Sequence, residues 1–234
     1  VQFSDRIAQL LDRVDCRLAE SVEDREAIFR LRYDAYRSEE TIAPNFTQTF
    51  YDPYDDADNV WLFGLYIDGE LASSIRLHVA SEENRDFPSR HVFPEVLEPE
   101  LEAGKVIVDP TRFVTNRHYS RGNFGLTYAT CRLAWLAAGY FGAEHLLAAV
   151  RAEHQAFYRR TFSHRSICEP RPYPLLAKPI SLMTTDYSRV ADRVHQRYPF
   201  LRSTLFERRM LFERYLTMPQ VVPANETTEV HHAA

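Results

Sequence analysis

The chain has 234 residues, 45% hydrophobic and 13% aromatic, which is enough for one sizeable core and too apolar for overall disorder. A formal net charge of -5 gives no electrostatic footprint for nucleic acid, and no nucleic-acid-binding motif occurs. Cys16, Cys131 and Cys168 are widely spaced without a C-x-x-C, no H-E-x-x-H or other metal pattern occurs, and no apolar run reaches membrane-spanning length or forms a signal-peptide core. The expectation is a cytoplasmic protein with no metal and no integral membrane segment.

In residues 3–14, Ile7, Leu10, Leu11 and Val14 stand at helical spacing. Residues 15–20 fit a short strand. Ser21-Val-Glu-Asp-Arg-Glu26 reads as a capped helix start, and the helix runs through Tyr36 with Ile28, Leu31 and Ala35 on one face. Residues 39–58 are rich in Pro, Asn, Thr and Asp and predict a long loop of the kind that often carries function. A strand over 59–67, the turn Asp68-Gly69 and a returning strand over 71–80 form a hairpin. Residues 81–104 are irregular and acidic, with a short helix near 94–101. A strand over 105–115, a polar loop over 116–122, a long apolar helix over 124–140, a buried strand over 145–150 and a helix over 153–162 follow. Pro170, Pro172 and Pro174 then break the chain before a last apolar strand near 175–183.

This order predicts an α/β fold with three layers, α/β/α, around a mixed and mostly antiparallel sheet. Hairpins make antiparallel neighbours and helical crossovers make parallel ones. The main domain spans 1–185. Residues 186–218 read as a helical extension rich in arginine, among them Arg189, Arg193, Arg197, Arg202, Arg208, Arg209 and Arg214; 219–234 read as a disordered tail.

Four charged motifs stand out. Arg32-Tyr-Asp-Ala-Tyr36 lies on the second helix, Asp52-Pro-Tyr-Asp55 in the long loop, Arg76 in the returning strand, and Asp109-Pro-Thr-Arg-Phe113 in the strand over 105–115. A buried strand gains nothing from charge, so Arg76, Asp109 and Arg112 need partners or a task. Together they predict one polar cleft assembled by folding.

The element order resembles the GNAT acyltransferase superfamily. The four motifs, in this order, resemble the N-acyl amino acid synthases and acyl-homoserine-lactone (autoinducer) synthases, which take acyl chains from acyl carrier protein. The resemblance covers residues 15–115 well, rests on element order alone from 116 to 183, and ends there. The chain lacks the tryptophan that lactone synthases carry after the first helix and has Asp109 where their acid is Glu. The stretch from Arg76 to Asp109 is also longer than a lactone synthase implies. These departures favour the amino acid synthase branch.

The resemblance implies transfer of a fatty acyl group to the amine of an amino acid or related metabolite. Asp109 is then the candidate base, or simply a partner of Arg112 or Arg76. Arg32, Arg76 and Arg112 organise the loop carboxylates or grip a substrate carboxylate, against a purely structural ion-pair network. Asp52 and Asp55 receive the substrate ammonium or are solvated loop acids. Tyr36 and Phe113 line the substrate site, or Tyr36 only closes the core beneath the loop. Tyr158 stands where many GNAT enzymes place a tyrosine that protonates the leaving thiolate, against an ordinary helix aromatic. Trp135 and Phe141 read as core.

The segment Arg117-His-Tyr-Ser-Arg-Gly-Asn-Phe-Gly125 only partly keeps the phosphate loop of that superfamily: Gly122 is present, but Tyr119 stands where an Arg belongs. That departure favours acyl-phosphopantetheine on acyl carrier protein over acyl-CoA as donor. Arg117 and Arg121 either contact its phosphate or are solvated surface charges. The arginines of 189–214 either dock an acidic carrier protein or line a solvated face. The competing readings are a lactone synthase, a coenzyme-A-dependent acetyltransferase and a non-catalytic carrier-binding module.

Overall fold

The computed structural model describes residues 3–120, 124–172 and 178–214. In chain order its elements are α1 (Phe3–Leu11), β1 (Val14–Leu18), α2 (Val22–Ser38), a 3-10 turn at Pro53–Asp56, β2 (Val60–Ile67), β3 (Glu70–Ala80), α3 (Pro88–Val92), α4 (Pro94–Glu102) and β4 (Ile107–Thr115). Then come α5 (Arg117–Ser120), α6 (Phe124–Phe141), β5 (His145–Val150), a 3-10 turn at Ala152–His154, α7 (Gln155–Phe162), β6 (Arg165–Ser166), β7 (Ser181–Thr185), α8 (Tyr187–Arg197), a 3-10 turn at Pro199–Leu201 and α9 (Leu205–Phe212).

The strands form one sheet in the order β1-β2-β3-β4-β5-β7-β6. Among these neighbours only β4 and β5 run parallel. Local chemistry explains the first half. Ser21 caps α2 by accepting from the Asp24 N–H at 3.0 Å, and Glu23 and Asp24 place negative charge at the helix start. Asp68 and Gly69 both have positive φ, 53° and 86°, the conformation that a tight two-residue hairpin between β2 and β3 demands.

Helices cover both faces of the sheet. Trp61, Phe63 and Leu65 of β2 join Ile75, Leu77 and Val79 of β3 and Val108 of β4 in a core that contains much of α6. Leu62 points the other way, into a smaller cluster with Ile28 of α2. Burial on two faces is why β2 reads as an unbroken apolar run.

The C-terminal helices share the main core. Trp135 of α6 stacks on Tyr187 at 4.7 Å and donates through Nε1 to His195 Nε2 at 3.0 Å. Phe212 meets Phe63 and Phe141, each at 5.7 Å. Arg132 reaches the carbonyls of Phe200 and Arg202 and the Glu207 carboxylate. The arginines of this segment mask aromatic and aliphatic residues that bury against α6. The short helices α3 and α5 and the two-residue β6 were not expected. Part of the last expected strand, 175–177, lies outside the described residues, as do 219–234; the strand observed there is Ser181–Thr185.

Phe212→Ala removes a nearly fully buried ring from the centre of this contact. It is expected to lower unfolding free energy by about 3–5 kcal/mol in urea titrations, whereas loss of a separate appendage would leave the main transition unchanged.

Candidate active site

β4 pairs with β3 along most of its length but with β5 only at Ile107–His145 and Val108–Leu146. From Asp109 onward the two parallel strands are no longer paired. Pro110, which has no N–H to donate, stands just past this point. Because Ile75, Leu77, Val79 and Val108 face α6, alternation puts Ser74, Arg76, His78, Asp109 and Thr111 on the opposite face, under α2, α3 and the loop 39–58.

Strict alternation would send Arg112 to the α6 side. Instead the β3–β4 register slips between Ser74 and Arg76, giving β4 one extra residue, and Arg112 adopts φ 54°. Its guanidinium thereby reaches Asp52 Oδ2, from Nε at 3.1 Å and from Nη2 at 2.6 Å. It also lies 4.6 Å from the Phe50 ring and 5.9 Å from that of Tyr36. Phe113, next in line, packs against the α6-side core.

The D-P-Y-D sequence is a capping box on a 3-10 turn. Tyr54 N–H donates to Asp52 Oδ1 and Asp52 N–H to Asp55 Oδ2, both at 3.1 Å. The turn holds both carboxylates over the sheet. Asp55, fully buried, accepts two bonds from Arg32 Nη1 at 2.8 and 2.9 Å and faces Arg76 Nη1 at 3.1 Å. Asp52 is 18% exposed and accepts from Arg76 Nη1 at 2.6 Å as well as from Arg112. Burial alone would raise the Asp52 pKa, but hydrogen bonds and charge from Arg76 and Arg112 bring it down to about 2. Arg76 Nε completes the set by donating to Thr111 Oγ1 at 3.0 Å.

Asp109 stands apart from that network. It is fully buried and directly opposite His78 on β3. Ser89 of α3 donates to it twice, from Oγ at 2.8 Å and from the backbone N–H at 3.1 Å. Burial lifts its pKa to about 6, against the pull of Ser89 and the charge of Arg76. His78 Nε2 lies 3.1 Å from the Tyr54 carbonyl; a carbonyl can only accept, so that nitrogen carries the hydrogen. Burial, then the Arg76 charge, pushes the His78 pKa down to about 4, so the ring is neutral at pH 7.

Folding therefore brings together Arg32, Tyr36, Asp52, Asp55, Arg76 and Arg112, with Asp109 beside them. Tyr158 is placed elsewhere. It lies near the Cys131 thiol and packs against Phe157, Phe162 and His164 on the α6 side. Arg117 is exposed on α5, at a groove of about 530 Å³ lined also by Arg37, Thr115 and His118. Arg121 and Gly122 lie outside the described residues. Sequence reasoning missed Ser89 and His78. His78 repeats the two-residue spacing of Ser74 and Arg76 on β3, a signal that was available; Ser89 carries none.

The family model for the N-acyl amino acid synthase FeeM matches residues 27–186. This chain belongs to that family. The matched span holds the whole cluster from Arg32 to Arg112. No curated protein is matched by sequence alone. Among solved structures, FeeM, an N-acyl amino acid synthase from uncultured soil microbes, superposes with a TM-score of 0.66 at 14% identity, over 80% of this chain and 98% of that one. The coenzyme-A-dependent acyl-homoserine lactone synthase BjaI, solved with MTA, gives 0.58 at 17% identity over 80% and 89%. An acyl-CoA N-acyltransferase from Pseudomonas aeruginosa gives 0.51 at 20% identity over 74% and 97%.

As a FeeM-family member the chain is an acyltransferase, built on a GNAT-like α/β fold. No helix among the described residues is long and apolar enough to cross a membrane.

Asp55→Asn removes the countercharge of two buried guanidiniums and is expected to cost about 3–5 kcal/mol in chemical denaturation. Asp52→Asn, at a partly exposed site, is expected to cost less. Equal losses would contradict the ranking by burial.

Proposed function

We propose that this enzyme transfers a fatty acyl group from acyl carrier protein to the amine of an amino acid or a related metabolite. The observation that carries the proposal is Asp109, a buried carboxyl with a pKa of about 6 where β4 leaves β5, beside a fixed array of arginines. A base works best when its pKa lies near the working pH.

In this reading the amine nitrogen attacks the thioester carbonyl carbon. The C–N bond forms, the C–S bond breaks, Asp109 takes the amine proton directly or through water, and sulfur leaves as thiolate to become the free thiol. Arg32 and Arg76 hold Asp55 and Asp52 in place, and Arg112 presents its partly exposed guanidinium at the rim. Asp52, the more accessible carboxylate, meets the acceptor's ammonium. Tyr36 lines the site beside Arg112, and Phe113 contacts substrate from the opposite, α6-side face of the sheet. Tyr158, on the α6 side near Cys131, is given no step. Arg117, with Arg121 and Gly122, meets the phosphate of phosphopantetheine; Tyr119 in place of the usual arginine favours a carrier-bound donor over coenzyme A.

The test is mass spectrometry of organic extracts from bacteria that express the chain, beside an Asp109→Asn control. N-acyl amino acids that vanish in the control are the expected result. An N-acyl lactone would transfer the enzyme to the signal-synthase branch, and coenzyme-A-dependent acetylation of an amine would displace the carrier-protein donor. With purified enzyme, Asp109→Asn is expected to lower kcat by about 10²–10⁴-fold, and wild-type kcat/KM should rise with pH through about 6.

Stability should show the opposite trend. The folded pKa of Asp109 exceeds its ordinary 3.8, so its ionisation removes stability as pH rises from 3.8 through about 6. Asp109→Asn should match wild type near pH 4 and exceed it by up to about 3 kcal/mol at pH 8. A control less stable than wild type at pH 8 would show that the carboxylate is not a burden on the fold.

A further inference from the structure

Ser89 grips Asp109 at two points. Its Oγ donates to Oδ1 at 2.8 Å and its backbone N–H to Oδ2 at 3.1 Å, so each carboxylate oxygen takes a donor from the same residue. Both side chains are fully buried. One donor would leave the carboxylate free to turn about its own bond; two donors from one rigid residue fix its plane. Ser89 also comes from a different layer: α3 rests on β4 from above, 20 residues earlier in the chain.

Other groups face the same carboxyl. His78 is its cross-strand neighbour, Arg76 lies two residues along β3, and Tyr54 approaches from the 3-10 turn. His78 in turn is faced by Tyr54, Arg76, Asp55 and Asp52, while His91 and Asp86 lie beyond the Tyr54 ring and are exposed. Of the two titrating near neighbours on the strands, His78 is neutral well above its pKa of about 4. A pH-dependent difference between wild type and Asp109→Asn near pH 6 therefore belongs to Asp109.

We propose that Ser89 is the positioning residue of the catalytic carboxylate, fixing its plane and favouring its ionised form through both donors. The proposal rests on the reading of Asp109 as the base. Donors to a charged form lower its pKa, and burial here pushes the other way. Loss of the hydroxyl donor leaves burial less opposed and should raise the Asp109 pKa by about 0.5–1 unit.

The experiment compares wild type, Ser89→Ala, Ser89→Thr, Asp109→Asn and the Ser89→Ala/Asp109→Asn double variant. Urea unfolding from pH 4 to 9 is measured for each, with kcat/KM over the same range using lauroyl-acyl carrier protein and a mixture of the common amino acids. In Ser89→Ala, the upper end of the fall in stability and the acidic limb of kcat/KM should both move up by about 0.5–1 pH unit, with the onset of the fall unchanged and its depth increased. Activity at pH 6 should drop more than activity at pH 8.5. Ser89→Thr keeps a hydroxyl and should hold the limb at its wild-type place. In the double variant the pH-dependent difference should vanish.

A Ser89→Ala limb that stays in place, with Asp109→Asn inactive, overturns the role of Ser89 and leaves Asp109 as base. An active Asp109→Asn overturns the base assignment itself. Differences in unfolding free energy, wild type against Asp109→Asn and Ser89→Ala against the double variant, report the Asp109 titration in either case, so the result does not depend on which amine is accepted.

Discussion

The contact between Asp55 and the guanidiniums of Arg32 and Arg76 organises the site. Three elements meet in it: α2 brings Arg32, β3 brings Arg76, and the loop 39–58 brings Asp55. Each of these charges is almost wholly removed from water. Dehydrating an ion costs several kcal/mol, which mutual attraction offsets only when geometry and hydrogen bonding are good. Here the carboxylate takes bonds from Arg32 and from the Asp52 backbone, and the same turn sets Asp52 against Arg76 and Arg112. Hydrophobic residues of equal volume would close the loop at lower cost. What they would not do is dictate where the loop lands, because apolar contacts are non-directional while each of these hydrogen bonds demands its own distance and angle.

Once that loop is fixed, the rest of the site follows from the sheet. β4 carries an extra residue, and Arg112 sits at a positive φ that costs on the order of 1–3 kcal/mol for a residue with a side chain. The gain is a third guanidinium on the face where Asp52 waits. The same strand loses its β5 partner just after Val108, so its strained part keeps β3 as its one paired neighbour among the described strands. Strain, an unpaired strand edge and charge coincide over the short run from Asp109 to Arg112. Each would be a liability inside a closed sheet.

Much of this was legible in the sequence, for identifiable reasons. Asp68-Gly69 and the alternation around it specify a hairpin locally, so β2 and β3 were plain. Arg76 and Arg112 could be named because charges inside apolar strands need partners, and Arg32, Asp52 and Asp55 because their motifs, in order, resemble those of the synthase family. Their pairing was not legible: it depends on a register slip in β4 and on a turn whose capping box looks, in sequence, like a run of loop acids. Ser89 was hidden because a serine after a proline has no pattern until α3 folds onto β4. The arginines of α8 and α9 drew attention to the solvent side of those helices, while Tyr187, Val194 and Phe212 did the burying. Whether the D-x-x-D acids touch substrate is a question of lone pairs, and sequence spacing does not count lone pairs.

The two acids at the centre are driven apart by what surrounds them. Asp52 is partly exposed yet held near pKa 2, because two guanidiniums bind its charged form. Asp109 lies on the same face of the sheet but is raised to about 6, because full burial outweighs two donors and one more distant arginine. Over the neutral range Asp52 is a permanent anion, while Asp109 can gain and lose a proton at little cost. Separation of this kind divides structural from chemical work among like side chains. It also explains why the arginines cluster on the loop and not around Asp109. A guanidinium in direct contact with Asp109 would pull its pKa down as it does for Asp52, and a proton acceptor would become one more fixed charge. Ser89, a neutral donor, orients the carboxylate without that penalty.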